Sequence, residues 1–192
     1  MTTAAHRFLV LLLIVGIGLG LRSPLASAQS DPTIQIARIK YQGGGDWYSD
    51  EESLVELLAY AKQHTLLDVQ MQEDVVELTS DKVFTYPYLY LTGHGNVTFS
   101  QKEADRLRRY LLQGGFLHID DNYGLDEYIR KELKKVFPEK DLVELPFSHP
   151  IYSMRFNFPN GLPTIHEHDG EAPQGYGLLD DNGGLMVFYT HE

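Results

Sequence analysis

The chain has 192 residues, of which 43% are hydrophobic and 22% are charged, a composition typical of a globular domain with its own core. It has 27 acidic and 16 basic residues, a formal net charge of −11. This argues against nucleic acid or an anionic membrane as a partner, because both require a basic surface. No cysteine is present, which excludes disulfides, a thiolate nucleophile and cysteine-based metal sites.

Residues 1–28 have the pattern of a secretory signal peptide. His6 and Arg7 precede an uninterrupted apolar segment over 8–21, and Ala26-Ser27-Ala28 provides small residues for cleavage. The apolar segment is short for a bilayer span, which needs about 20 residues. We therefore expect cleavage after Ala28, export to the periplasm or out of the cell, and no stable membrane insertion of the mature chain. An uncleaved N-terminal anchor is the alternative.

The first half of the remaining sequence predicts two strands and one helix. Alternating isoleucines in "TIQIARIKY" (33–41) predict a strand, and a Gly-rich segment follows it. Leucines at helical spacing over 54–61 predict a helix, which Ser49 or Asp50 could cap. "LLDVQMQ" (66–72) predicts a weaker strand. Residues 73–87 are expected to be connecting material, with a short turn at Asp81.

The second half gives clearer patterns. "YPYLYLTG" and "FLHID" predict buried strands on either side of a helix over 100–113, where Ser100 and Glu103 form a capping box. A further helix is predicted to end at Pro138. "YGLLDDNGGLMVFYTHE" predicts two strands joined by a hairpin at Asp181-Asn182-Gly183.

This order of elements predicts an α/β fold with a mainly parallel, doubly wound sheet and helices on both faces. Residues 29–192 are expected to form a single domain. The chain stops directly after a strand, at His191-Glu192, where a doubly wound domain would usually add a closing helix. We therefore expect the C-terminal end to be truncated.

Four segments, together with the leader, resemble one known family. They are "IKYQGGGDWYSD", "YPYLYLTGHG", "LRRYLLQGGFLHIDDNYG" and "FSHPIY". From about Thr33 to the end, the chain resembles the bacterial domain of unknown function numbered 4159. That family is grouped with the class I glutamine amidotransferase-like (flavodoxin-like) fold, so the resemblance implies an architecture and no reaction.

The same resemblance implies where a site would lie. In true amidotransferases, one strand ends in a sharp turn with a Cys nucleophile, and a later strand supplies His and Glu. The resemblance places Asp121, or Asp120 one position earlier, where the Cys would be, and His191 and Glu192 near the partner positions. "YLTGHG" resembles the turn that provides oxyanion donors. A carboxylate cannot replace a thiolate at an amide, so glutaminase activity is not expected.

The residues alone also point to two strand ends. Gly93-His94-Gly95 and Asp120-Asp121-Asn122 each follow an apolar run, and ligands bind at the carboxyl ends of strands in open α/β sheets. One crossover helix links the two strands, so we expect the two turns to lie side by side. The side chains could form an acid–base pair or an Asp/His metal site. Alternatively, the aspartates only cap the next helix and bind backbone amides.

Two other segments are weaker candidates. Gly44, Gly45, Asp46 and Trp47 could bind a phosphate or sugar through backbone amides and ring stacking, although the loop lacks the lysine of a P-loop. The alternative is a tight turn with Trp47 in the core. Within "HEHD" (166–169), two histidines could chelate a metal, but no third ligand is evident, and a polar surface loop is the alternative. We predict neither a metal nor a cofactor.

Two functions remain open. The first is a non-catalytic ligand-binding or assembly module of the cell envelope, whose partner is a small molecule or an envelope protein. The second is a hydrolase-type enzyme that uses Asp121, His191 and Glu192 in acid–base or metal chemistry. The absence of cysteine and of a recognised nucleophile motif favours the first.

Overall fold

The computed structural model describes residues 33–164 and 172–191. The helices in these ranges are Ser53–His64 (α1), Gln101–Leu112 (α2) and Asp126–Val136 (α3). The strands are Ile36–Ile39 (β1), Asp74–Val76 (β2), Tyr88–His94 (β3), Phe116–Tyr123 (β4), Val143–Glu144 (β5), Gln174–Leu179 (β6) and Leu185–His191 (β7). Short 3₁₀ turns occupy Asp81–Thr85 and Pro150–Tyr152.

The seven strands form one sheet in the order β2-β1-β3-β4-β7-β6-β5. The pairs from β2 to β7 are parallel, whereas β6 is antiparallel to both β7 and β5. The sheet is therefore mixed, which corrects the expectation of a mainly parallel sheet. The physical reason is the short hairpin loop over residues 180–184, because so short a connection between neighbouring strands makes them antiparallel.

Helices pack on both faces of the sheet, as predicted. Successive strand residues point to opposite faces. Leu89 of β3 and Leu117 of β4 belong to a cluster with apolar residues of α2 and α3. Tyr90, next to Leu89 in the chain, belongs instead to a cluster with Leu54 and Leu58 of α1. A sheet covered on both faces explains why its central strands are continuous apolar runs.

Most predicted elements are confirmed, and two are corrected. Ser100 and Glu103 form the capping box at the start of α2. Residues 66–72 form no named strand, and Val69 makes only an isolated bridge to Ile34. The second strand is instead β2, within the segment expected to be connecting material. No side chain caps the start of α1, where the N-cap residue is Glu52. Ser49 and Asp50 come too early in the chain for this position, and their carbonyls accept hydrogen bonds from Arg38.

Within residues 33–164 and 172–191, no helix is both long enough and apolar enough to cross a bilayer.

Candidate functional site

The carboxyl ends of three neighbouring strands, β3, β4 and β7, lie together at one end of the sheet. Asp120 of β4 is in register with Thr92 of β3 on one side and with Thr190 of β7 on the other. Gly93 pairs in the same way with Asp121. The two segments therefore lie side by side as expected, although residues 120–122 belong to β4 itself and do not form a turn. Because β7 is parallel to β4, the carboxyl end of β7 lies there too.

Asp121 faces α3 and serves the local backbone. Its Oδ1 accepts hydrogen bonds from the amides of Tyr123 (2.9 Å) and Leu125 (3.0 Å), and its Oδ2 accepts one from the Tyr189 hydroxyl (3.1 Å). The residue is only 5% exposed. These contacts match the capping alternative, because the carboxylate satisfies amides in the turn that leads into α3.

His191 lies on the same face as Asp121. Its Nε2 is 3.9 Å from Asp121 Oδ2 and 3.7 Å from Asp126 Oδ1, too far for a direct hydrogen bond. The Tyr189 hydroxyl lies between the two carboxylates and donates to Asp126 at 2.8 Å. The predicted partner Glu192 lies outside the described residues. Asp121 and His191 are thus neighbours without an acid–base hydrogen bond.

A cavity of about 450 Å³ opens at the strand ends beside the start of α1, and its lining includes residues from both faces of the sheet. Its volume is within the range of small-molecule sites, roughly 300–1,000 Å³. Its lining combines polar groups from several elements with apolar residues. Its lining residues are Asp50, Ser53, His118, Asp120, Asp121, Asn122, Leu162, Pro163, Pro173, Thr190 and His191.

Asp120 is held from two neighbouring strands. Its Oδ2 accepts from the Tyr90 hydroxyl at 2.9 Å, and its Oδ1 accepts from Thr190 Oγ1 at 2.6 Å. Burial raises the pKa of Tyr90, and the nearby Asp120 charge raises it further, so the phenol remains a hydrogen-bond donor. Each carboxylate oxygen therefore has one fixed donor and retains capacity for another.

His118 lies two residues before Asp120 and therefore shares its face. Its Nδ1 is 2.8 Å from the Tyr88 hydroxyl, and its ring stacks on Phe188 with centroids 5.6 Å apart. Its Nε2 is shielded from solvent and has no hydrogen-bond partner within the described residues. Burial lowers the pKa of His118, an effect that the Asp120 charge opposes, so the imidazole is neutral at pH 7.

A buried arginine shapes the loop at the cavity mouth. Arg38 of β1 is 2% exposed and pairs with Glu73 at 3.0 Å. Its guanidinium also donates to the carbonyls of Ser49 (2.5 Å) and Asp50 (3.1 Å). Asp50 has a φ of 55°, a left-handed conformation that aspartate tolerates. Its side chain accepts from Asn122 Nδ2, which ties the loop to β4.

The two glycine segments pack against each other instead of lining the cavity. A Cβ on Gly45 would lie 2.7 Å from the His94 carbonyl oxygen, and one on Gly93 would lie 2.3 Å from Tyr41 Oη. Glycine is required at both positions for this close approach. Gly95 donates its amide to Tyr123, and Gly44 flanks Gly45 at the exposed loop tip.

His94 and Asp46 form a separate pair. The imidazole Nδ1 is 3.0 Å from Asp46 Oδ2, and the His94 amide donates to Oδ1 at 2.5 Å. Partial burial of Asp46 raises its pKa, but the hydrogen bonds from His94 outweigh this effect, and the pKa is lowered overall. Trp47 packs against the core, which agrees with the structural alternative for that residue. The cavity lining thus includes Asp120, Asp121, Asn122 and His191, but none of the residues of the two glycine segments.

Residues 33–164 and 172–191 contain no cluster of side chains that supports the metal-site alternative. No group of three or more His, Cys, Asp or Glu side chains there has a geometry that could hold an ion. The "HEHD" segment (166–169) lies outside the described residues.

Sequence reasoning did not assign four polar lining residues to the site, namely Asp50, Ser53, His118 and Thr190, nor the residues that hold some of them, Arg38, Tyr88 and Tyr90. Alternating tyrosines on a strand are most simply expected to pack within the sheet, yet the hydroxyls of Tyr88 and Tyr90 bond to His118 and Asp120. The sequence did contain a usable pattern. His118 and Asp120 are two positions apart on a predicted strand, so their side chains share a face of the sheet.

Comparison with known proteins gives the family. No curated protein matches the chain significantly. A family model described as "Domain of unknown function (DUF4159)" matches residues 35–192, which include every described residue that lines the strand-end cavity. The chain therefore belongs to the DUF4159 family.

Proposed function

We propose that this protein is an exported cell-envelope module that binds a small polar ligand in the strand-end cavity. The single observation that supports it is the convergence of fixed polar groups on one concave space. Asp120, His118 and Asn122 each form a hydrogen bond with a residue of another element or loop of the fold. Leu162, Pro163 and Pro173 add apolar residues to the cavity lining. Such a combination is typical of small-molecule sites.

The proposed scaffold is the class I glutamine amidotransferase-like fold without its nucleophile. Two features support it: the parallel order β2-β1-β3-β4-β7, and the placement of Asp121 at the end of the strand that would hold the cysteine. Because the chain has no cysteine, this scaffold would provide shape without thioester chemistry.

A hydrolase-type enzyme is the second candidate. The observation that favours it is the presence of His118 and Asp120 on one wall of the same cavity. Against it, the originally expected pair is poorly placed for catalysis, since Asp121 is occupied by two amides and a phenol. A binding module therefore fits these contacts better.

Export is the remaining part of the proposal, and it is supported by the N-terminal sequence pattern. Mass spectrometry of protein recovered from the periplasm or the medium would test it. A mature N-terminus at Gln29 is expected, whereas an intact Met1 in the membrane fraction would contradict it.

Ligand-dependent thermal stabilisation tests the binding function. Monosaccharides, amino sugars, amino acids and nucleosides would each be added at millimolar concentration to the purified protein. A ligand present at 100 times its Kd stabilises by about 2.7 kcal/mol, which raises the Tm by several degrees. A Ser53→Trp variant, which fills the cavity, should lose the effect, while Val55→Trp at an exposed position of α1 should keep it. If no compound raises the Tm, the proposed function is wrong.

A further inference from the structure

The electrostatics of the cavity restrict the class of ligand, provided that the proposed binding function holds. Asp50 and Asp120 both line the cavity, whereas the lining residues that the structure describes include no lysine or arginine. Clefts lined by charges of one sign concentrate the opposite charge. The lining therefore disfavours an anion and favours a cation.

The nearest buried cation does not neutralise these carboxylates. Arg38 directs its guanidinium to the Glu73 carboxylate and to the backbone carbonyls of Trp47, Ser49 and Asp50. These four bonds go to Glu73 and to the loop backbone, and none of them goes to Asp120. His191 lies closest to Asp121 and Asp126, on the opposite face of the sheet. Apart from the two histidines, the described lining residues therefore include no basic side chain to balance Asp50 and Asp120.

The two carboxylates also have free acceptor capacity. Asp120 accepts from Tyr90 and Thr190, and the Asp50 carboxylate accepts from Asn122. A carboxylate offers about four lone-pair positions, so both groups can accept further bonds. A primary ammonium has three N–H donors and no acceptor, which matches this requirement.

His118 adds a second requirement. Within the described residues, the one hydrogen-bond partner of its ring is the Tyr88 hydroxyl at Nδ1, while Nε2 has none. If the phenol donates to Nδ1, the neutral ring has its proton on Nε2 and needs an oxygen acceptor. Because Nε2 is shielded from solvent, a small shift of the ring has to accompany its contact with a ligand oxygen, and that contact would satisfy this costly unpaired donor.

We propose that the cavity binds a primary ammonium group with a hydroxyl on a neighbouring carbon, as in amino sugars and amino alcohols. The ammonium lies between Asp120 and Asp50, and the hydroxyl accepts from His118. The carbon skeleton packs on Leu162, Pro163 and Pro173. Ammonium–carboxylate hydrogen bonds are about twice as strong as neutral ones, so the charged end dominates selectivity.

Isothermal titration calorimetry with matched probes tests this assignment. Glucosamine, glucose and glucuronate share a pyranose ring and differ in charge. Glucosamine is expected to bind at least about tenfold more tightly than glucose, with glucuronate the weakest. Asp120→Asn should reduce glucosamine affinity on the order of tenfold, whereas Asp105→Asn, an exposed change on α2, should not alter it. Cyclohexylamine, which has the ammonium but no oxygen, should bind more weakly than glucosamine because Nε2 remains unpaired.

The possible failures are distinguishable. If glucose or glucuronate equals glucosamine, or if Asp120→Asn leaves its affinity unchanged, the ammonium assignment is wrong although a binding function survives. Equal affinity for cyclohexylamine and glucosamine would refute the role of His118. Absence of stabilisation by any compound in the broader thermal screen would instead refute the binding function.

Discussion

Asp120 and Asp121 are consecutive residues of β4, yet their carboxylates lie on opposite faces of the sheet and have separate partners. Asp120 faces the cavity and accepts from Tyr90 and Thr190. Asp121 faces α3 and accepts from two backbone amides and Tyr189. Strand alternation thus gives the two carboxylates different tasks, the proposed ligand contact for Asp120 and support of the turn for Asp121.

Substitution of the two aspartates should separate these tasks. Asp121→Ala is expected to lower the free energy of unfolding by about 3 kcal/mol, because the amides of Tyr123 and Leu125 lose their acceptor. Asp120→Asn keeps the side-chain shape and should cost less than about 1 kcal/mol. Urea unfolding of both variants provides the measurement. Equal losses of stability would contradict the division of roles.

Arg38 should contribute more to stability than a neighbouring surface cation. Arg38→Met removes a buried guanidinium and leaves Glu73 and three carbonyls without it, so a loss of about 3 kcal/mol is expected. Lys40→Met is the matched control, because Lys40 pairs with Glu77 at 3.6 Å and both side chains are largely exposed. That change should cost less than about 1 kcal/mol. Chemical unfolding of both variants provides the measurement. Similar losses in the free energy of unfolding would show that Arg38 does not hold the loop.

His118 should make stability depend on pH in a predictable direction. Because burial lowers its pKa in the folded state, the unfolded chain takes up this proton first as the pH falls below about 6.5. The contribution of neutral His118 to the free energy of unfolding is fully present above that pH. Below it, the free energy of unfolding falls with a slope that approaches about 1.4 kcal/mol per pH unit.

The matched variant for this titration is His118→Phe, which keeps the stacked ring and removes the ionisable group. Its unfolding free energy should fall less steeply between pH 6.5 and 5 than that of the wild type. Identical slopes in the two proteins would contradict a neutral buried His118.

The two glycines of the β3 turn should differ in their tolerance of alanine. Gly93→Ala places a Cβ 2.3 Å from Tyr41 Oη at a φ of 140°, so a loss of about 3 kcal/mol is expected. Gly95→Ala has a φ of 74° and no heavy atom within 4 Å, so its cost should be about 1 kcal/mol.

A Tyr41→Phe background provides the control for the steric argument. Since the clashing oxygen is then absent, Gly93→Ala should cost less there than in the wild type, as measured by thermal unfolding. An unchanged cost would assign the loss to backbone strain alone.

Local patterns in the sequence were enough to predict much of the fold. The capping box of α2 and the turn between β6 and β7 depend on residues close in the chain, and both are present. β2 was missed because it has only three residues, and its pairing with β1 is not local. The two-residue β5, at the sheet edge, is likewise too short to leave a periodic pattern.

The position of the site could be predicted, but its composition could not. Strand ends are visible in the sequence, so Asp120 and Asn122 were found. Which aspartate faces the cavity depends on the phase of β4 relative to the sheet, and this is set by packing around Leu117 and Ile119. Arg38 gave no pattern of its own, since an arginine between apolar residues of a strand usually faces solvent.

The central claim is that the cavity beside His118 and Asp120 binds the ligand, and chemical-shift mapping by NMR tests it most directly. Glucosamine would be titrated into uniformly ¹⁵N-labelled protein. We expect saturable shifts concentrated at Ser53, His118, Asp120 and Thr190, and little change at the glycine segments 43–47 and 93–95. Shifts confined to those glycine segments, or no saturable shifts at all, would contradict the claim.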